Sequence, residues 1–355
     1  MMDKGKFKVL MIGPDRSVHG GVSGVVNNYY DAGLDKLIDL HYIGTMVDGS
    51  KWAKLVCAAK AYFRFLILLP RYDIVHVNMA SDSSYYRKSV FVRTAGMFHK
   101  KIVIHQHGGN FPEFYGKELS DAGRRRVKKV LSMGDAFLVL GTAWKDFFGS
   151  IIGADRITVL PNSIRVSAAG TKQYGVNKIL FLGRLCKAKG IGELLTVMPR
   201  LREKFSDVHL YLGGIWEDEE LKSQALPLKE YVTDLGWVSG SAKQRLLQEC
   251  DIFVLPSYFE GQPVSVLEAM AHACGIVASK TGGIPDMIIE GETGILVRPQ
   301  DTQTLEEGLC RLLAEPELCR RLGESARSKV EREFSIEDNI KRLLAVYESI
   351  SKSAN

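Results

Sequence analysis

Short apolar runs and longer stretches of helical period alternate along this whole chain, and that alternation limits its folds more than any other feature. The runs expected as strands in the first half are Phe7–Ile12, Asp73–Val77, Lys101–Gln106, Asp135–Leu140 and Ile157–Leu160. In the second half they are Lys178–Leu182, Val208–Leu212, Asp251–Leu255 and Gly275–Ser279, with Ile295–Val297 as a late addition. Helical patterns fill the gaps, as at Gly190–Phe205, Ser241–Glu249 and Pro263–Ala273. Repeated strand–helix–strand units predict an α/β chain whose parallel sheets are covered on both faces. A length of 355 residues is too great for one ordinary core, so two doubly wound, Rossmann-like domains facing a cleft are expected. The stretch from Pro161 to Gly170 has neither period and reads as a linker. It sets the domains at residues 1–165 and 166–335.

Composition excludes several classes. No window reaches the roughly 18 apolar residues that a membrane span needs. The residues from Met1 to Lys8 lead into an apolar run that meets Gly13-Pro14, which reads as a first strand and not as a signal peptide. A cytoplasmic location is therefore expected. The six cysteines show no Cys-x-x-Cys spacing, so they read as reduced thiols and not as a disulfide framework or zinc site. The net charge of +6 is unevenly spread. Residues 1–165 hold 24 basic and 14 acidic side chains, and the remainder holds 23 basic and 27 acidic. The basic half predicts an anionic partner. Nucleic acid is not expected, because the basic residues are not interleaved with aromatics as in a nucleic-acid module. From Lys51 to Arg71 there are five basic residues and no acidic one, with apolar residues at helical spacing. Two readings stand for this helix. It packs on the core with a solvated basic edge, or it lies on an anionic membrane surface, which would make the protein peripheral on the inner face of the plasma membrane.

The chemistry concentrates in two loops of the second half. Glu260-Gly-Gln-Pro-Val-Ser-Val-Leu-Glu268 follows the Asp251–Leu255 strand and opens a helix. Ligands of open α/β sheets bind outside the carboxyl ends of strands, and two acceptor-only carboxylates there suit a ligand rich in hydroxyls. Gly183-Arg184-Leu-Cys-Lys-Ala-Lys189-Gly190 lies on a loop of the same kind. Arg184 and Lys189 sit where a helix begins, against its dipole, and can grip a diphosphate. Carboxylates for hydroxyls together with cations for a diphosphate describe a nucleotide-sugar. In the first half, Gly20 and Gly21 precede a helix, and two readings stand: a tight turn with no ligand, or glycines that let the helix amides approach a phosphate. His105-Gln-His107-Gly-Gly109 ends a strand. His105 is expected in the core, and His107 is expected to face the cleft and contact a sugar or the acceptor. Trp237 is expected to pack. No Asp-x-Asp triplet is present, so no metal or other cofactor is expected. No Gly-x-Ser-x-Gly or Gly-x-Gly-x-x-Gly occurs at a place that supports a serine hydrolase or a dehydrogenase.

Taken together, these residues resemble the retaining glycosyltransferases of family four, which have the two-domain GT-B fold. The likeness covers nearly the whole chain. It is densest from Asn177 to Val297, through Glu260 and Glu268, Ala269-Met-Ala-His-Ala-Cys-Gly275, Thr281-Gly-Gly-Ile-Pro-Asp286 and the Gly183–Gly190 loop. Gly20-Gly21 matches the family's first-domain loop, His107-Gly108 its His-Gly, and Leu160-Pro-Asn-Ser-Ile164 its Pro-Asn-Gly turn with serine in place of glycine. Cys274 stands where a small residue is common, and Asp286 where glutamate is frequent. The resemblance implies that Glu260 holds hydroxyls of the donor sugar and that Glu268 holds the ribose. It implies that Arg184 and Lys189 neutralise the diphosphate, aided by amides near Gly21, Gly261, Gln262 and Val264. It further implies that the last helix, within residues 336–355, returns to the first domain, and that transfer to a saccharide or lipid-linked saccharide retains the anomeric configuration, in the assembly of a bacterial-type surface polysaccharide. The alternatives are a nucleotide-sugar epimerase or hydrolase of the same two-domain fold, or a protein that binds nucleotide-sugars without turnover.

Overall fold

A computed structural model describes residues 7–166 and 170–352 of the chain. Residues 1–6 and the linker residues 167–169 lie outside the described residues, and with them part of the N-terminal and linker readings. The chain divides into two compact units, residues 1–165 with 336–355, and residues 166–335.

The first unit is built on strands β1 (Lys8–Gly13), β2 (Asp39–Gly44), β3 (Ile74–Met79), β4 (Lys101–Gln106), β5 (Ala136–Val139) and β6 (Ile157–Val159). They form one parallel sheet in the order β2-β1-β3-β4-β5-β6. The second unit holds β7 (Lys178–Leu182), β8 (His209–Gly213), β9 (Val232–Gly236), β10 (Ile252–Leu255), β11 (Gly275–Ser279) and β12 (Ile295–Val297). Its parallel sheet runs β12-β11-β10-β7-β8-β9. Every residue of β3, β10 and β11 is buried, as expected of strands with helices on both faces. Two strands lie outside the runs given above, β2 and β9, and both lie at sheet edges. Only Ile43 of β2 and Val232 of β9 are buried. A half-solvated edge needs no continuous apolar run, so its sequence carries little strand signal.

The order of strands has a consequence for binding. In the first sheet the winding reverses between β1 and β3, and in the second between β7 and β10. Loops leaving two neighbouring strands diverge at such a reversal and leave a crevice at their carboxyl ends. The loops after β7 and β10 are those that carry Arg184, Lys189 and Glu260. The amino ends of the same two strands are stapled together. Asp251, just before β10, accepts backbone N–H bonds from Gly175, Val176, Asn177 and Lys178 at 3.0, 3.1, 3.3 and 2.9 Å.

The final helix, Ile336–Lys352, packs in the first unit. Tyr29 donates to Asn339 Oδ1 at 2.8 Å, Asn339 donates to the Pro161 carbonyl at 2.5 Å, and the Tyr347 hydroxyl lies 2.7 Å from His76 Nδ1. The basic helix Lys51–Leu68 is capped by Ser50, whose hydroxyl accepts from Ala53 N–H. It buries only Ala61 and Phe65. Trp52 is 75% exposed and Phe63 67%, and Leu55 and Ile67 are exposed as well. Core packing therefore accounts for a minority of its apolar residues.

The interior of the first unit is unusually polar. His76, His105, His107 and Lys88 are all buried. Burial pulls the imidazoles down, His105 to about 3, and pulls Lys88 to about 7. An unfolded chain takes up protons on those histidines below about pH 6.5, whereas the folded unit does not. Their contribution to stability is thus present in full above that value and is lost as the pH falls below it. Urea midpoints measured from pH 7.5 down to pH 5 are expected to decline with an unchanged slope. A flat profile would show that these imidazoles titrate normally in the folded protein.

Candidate functional site

Packing of three loops builds the site in the second unit. The first, after β7, turns through a short helical segment at Lys187–Lys189 and enters the helix Ile191–Lys204 at Gly190. Gly190 has φ +71, and a Cβ there would lie 2.1 Å from the Pro256 carbonyl oxygen. Only glycine allows this left-handed turn and this approach. The loop after β10 is then fastened to it. Tyr258 N–H donates to the Ala188 carbonyl at 2.9 Å, and the Tyr258 hydroxyl donates to Glu193 at 2.6 Å. The loop after β11 closes from the other side. Gly283 N–H donates to the Gly261 carbonyl at 2.9 Å and Thr281 Oγ1 donates to the Tyr258 carbonyl at 3.0 Å.

This packing brings two of the sequence-predicted residues together. Lys189 Nζ lies 2.5 Å from Glu260 Oε1, and Ser257 Oγ donates to the same oxygen at 2.7 Å. Glu260 is buried and Lys189 nearly so. Gln262 is buried directly after Gly261, and Val264 opens the helix Val264–Ala271. Glu268 lies within that helix, but its partner is new: Lys243 Nζ sits 2.5 Å from Glu268 Oε1. Arg184 also has a partner. It pairs with Glu217 at 3.2 Å, and both side chains are about half exposed. Such an exposed pair contributes little to stability, so Arg184 can exchange partners at low cost. Ser257 has no periodic or motif signal that would have marked it. Lys243 did carry one, a lysine in the first turn of the helix Gly240–Glu249, against the dipole. Trp237, expected to pack, is 44% exposed.

The candidate residues of the first unit have a different character. Gly20 is extended and precedes the helix Gly21–Asp31, and a Cβ at Gly21 would meet nothing within 4 Å. Neither position requires glycine for the turn. His107 differs from expectation. It is 8% exposed and so not an open surface group. Its N–H donates to the Met79 carbonyl at 2.8 Å, its Nε2 is 2.9 Å from Asn78 Oδ1, and its ring centre is 4.1 Å from that of His105. Burial first, and then His105, Lys88 and His76, hold its pKa well below that of a free imidazole. It is an uncharged hydrogen-bonding group at neutral pH.

Residues 165–329 match the family described as Glycosyl transferases group 1. The phosphatidyl-myo-inositol mannosyltransferase of Mycobacterium leprae is 30% identical over 214 residues, which are 58% of this chain and 56% of that protein. The chain spans about half the length of the curated relatives it matches. Among solved structures, the sucrose-phosphate synthase of Thermosynechococcus elongatus aligns with a TM-score of 0.78 at 18% identity, covering 98% of this chain and 99% of the other. Anabaena HepE in complex with UDP and glucose aligns with a TM-score of 0.78 at 17% identity, covering 97% of this chain and all of the other. At such identity the likeness is one of fold, that of the two-domain GT-B glycosyltransferases.

The ion pair at the centre of the second unit is open to a direct test. Removing the lysine alone strands a buried carboxylate, so Lys189→Met is expected to lower stability by about 3–5 kcal/mol. Adding Glu260→Gln should restore part of that loss. Urea unfolding of both single variants and the double variant measures the coupling, and strictly additive losses would show that the two groups are independent.

Proposed function

With residues 165–329 matching the family described as Glycosyl transferases group 1, we propose that this chain moves a sugar from a nucleoside diphosphate donor to a hydroxyl of a saccharide or lipid-linked saccharide. The observation that carries the reading is the contact of Lys189 with Glu260 beside the reversal of the second sheet. A carboxylate that accepts from sugar hydroxyls and a cation that meets a diphosphate are held there within one hydrogen bond of each other. Glu260 takes the donor sugar and Glu268 the ribose. Lys189 and Arg184 take the diphosphate, with backbone amides at Gly21, Gly261, Gln262 and Val264 assisting. Gly20 allows the Gly21 amide to be approached. His107 hydrogen-bonds the sugar as an uncharged group.

The leaving diphosphate gains charge as the glycosidic bond breaks. Fixed cations therefore act most strongly in the transition state. Each charge-assisted hydrogen bond contributes roughly 1.5–3 kcal/mol. Because Lys189 and Arg184 neutralise that charge, the reading needs no metal ion. A departing oxygen that takes the acceptor's proton on the face it leaves gives transfer with retention, and this needs no carboxylate nucleophile. The basic helix Lys51–Leu68, with Trp52, Leu55, Phe63 and Ile67 exposed among Lys51, Lys54, Lys60 and Arg64, suits a surface of anionic lipid. The reading therefore extends to a peripheral enzyme acting on lipid-linked acceptors in bacterial-type surface polysaccharide assembly.

A thermal-shift panel of UDP-, GDP- and ADP-sugars is expected to yield one class that raises the melting temperature. With that donor, Glu260→Gln should abolish most turnover, and Arg184→Ala or Lys189→Ala should each cost about a hundredfold in kcat. Turnover should survive EDTA. Wild-type rates in all three variants would refute the assignment. For the helix, flotation with vesicles rich in phosphatidylglycerol should carry the protein upward, and Trp52→Glu with Phe63→Glu should leave it behind. Equal flotation on neutral vesicles would remove the anionic surface from the reading.

A further inference from the structure

A pocket of about 730 Å³ lies wholly within the first unit, and its lining includes none of the candidate site residues. Its place follows from the topology. Among the described residues β2 is an edge strand, paired with β1 alone. The chain runs outward from β1 to β2 and then back past β1 to β3. Right-handed connections put the helices of those two steps on opposite faces of the sheet. The edge of β2 is therefore flanked by the helix Gly21–Asp31 on one side and the helix Lys51–Leu68 on the other. Residues 40–44 of β2 line the pocket, with Tyr30 from the first helix and Val56, Lys60 and Arg64 from the second. The loop after β1 closes it with Asp15 and Arg16.

The charges of this lining are unbalanced. Arg16, Lys60 and Arg64 are cations, all exposed enough to meet a ligand. Arg16 is held in place: its Nε donates to Asn27 Oδ1 at 2.8 Å, and its guanidinium carbon sits 3.8 Å from the centre of the Tyr30 ring. Asn27 Nδ2 donates back to the Arg16 carbonyl at 3.0 Å. The two terminal nitrogens of Arg16 make no hydrogen bond among the described residues, and neither Lys60 nor Arg64 makes a hydrogen bond or ion pair there. Asp15 is the single acid of the lining, and its Oδ1 already accepts from the Ser17 N–H at 3.0 Å and the Ser17 hydroxyl at 2.7 Å. Burial, and then Arg64, pull the His41 imidazole below its ordinary pKa, so at neutral pH it brings a hydrogen-bonding ring and no charge. A fixed guanidinium fork flanked by two mobile cations matches a phosphate.

The helix Lys51–Leu68 supplies the other half of the ligand's description. Residues 53, 56, 57, 60, 61 and 64 face the pocket at helical spacing. Val56 is also exposed, and with Trp52, Leu55, Phe63 and Ile67 it forms an apolar stripe beside that face. A free phosphate would leave the stripe unused. We propose that this pocket binds the phosphate head of one anionic lipid molecule, with the lipid chain leaving past Val56 onto the apolar stripe. The first unit then holds a lipid at a defined site and not only through a diffuse basic surface. The choice of a lipid rests on the reading of this helix as facing a membrane. The anion site itself does not.

Isothermal titration calorimetry at low salt tests the proposal, with dihexanoyl phosphatidic acid below its micelle concentration, dihexanoyl phosphatidylcholine and inorganic phosphate as probes. The phosphatidic acid is expected to bind at one site per chain. The phosphatidylcholine, whose phosphate carries a cation of its own, should bind at least tenfold more weakly, and so should inorganic phosphate, which has no chain. Arg16→Gln changes an exposed residue outside the basic helix. It should cost about tenfold in affinity for the phosphatidic acid with an unchanged melting temperature. Leu55→Asn with Val56→Asn should cost the lipid about fivefold and leave inorganic phosphate unaffected. No binding of the phosphatidic acid, or full affinity in Arg16→Gln, would overturn the proposal. Equal affinity for inorganic phosphate would overturn it too, in favour of a free-phosphate site. Flotation separates this site from the membrane reading. Protein that floats on anionic vesicles without binding the short lipid keeps the surface and loses the pocket. Protein that binds the short lipid through Arg16 without floating keeps the pocket and loses the surface.

Discussion

The contact between Lys189 and Glu260 is expensive to hold. Taking an ammonium and a carboxylate out of water costs several kcal/mol per ion, and their attraction only roughly repays it. In the second unit the loops that carry the two side chains are fastened to each other. Gly190 presses one loop against Pro256, Tyr258 ties the second loop to the first through Ala188 and Glu193, and Gly283 locks the third against Gly261. Ser257 supplies a further hydrogen bond to the carboxylate. The stability of the sheets is thus spent on fixing a charged group where water is scarce, a condition under which charge acts most strongly on a ligand. Arg184 and Glu217 form the opposite kind of pair, solvated and loosely committed.

The first unit handles polarity without charge. Its buried imidazoles have no carboxylate among the titratable groups that act on them, and burial keeps them neutral. A neutral imidazole donates at one nitrogen and accepts at the other. Asn78 and Tyr347 use that property to orient His107 and His76. The two units therefore prepare hydrogen-bonding groups by different physics, ion pairing in one and fixed amide and hydroxyl geometry in the other.

Much of the architecture was legible before any coordinates. The limits of β4, β7, β11 and β12 coincide with the runs read from the sequence, because covered strands are largely apolar and stop near where polar loop residues begin. β2 and β9, with one buried residue each, lay outside those runs, whereas the edge strands β6 and β12 were read. The candidate site residues stand out in the sequence as chemical types, since a first-turn lysine or a loop carboxylate differs from its local context. Their partners do not. Ser257 is an ordinary residue whose contact comes from what lies across from it, and Glu217 lies 33 residues from Arg184.

Sequence alone determined the class of fold and the kinds of groups available, because periodicity and residue chemistry are local properties. It placed carboxylates and cations on loops at the ends of strands. Only the tertiary structure decided which of them touch and which are buried. Pairing and burial depend on side chains distant in the chain, and those meet only after the sheets have assembled.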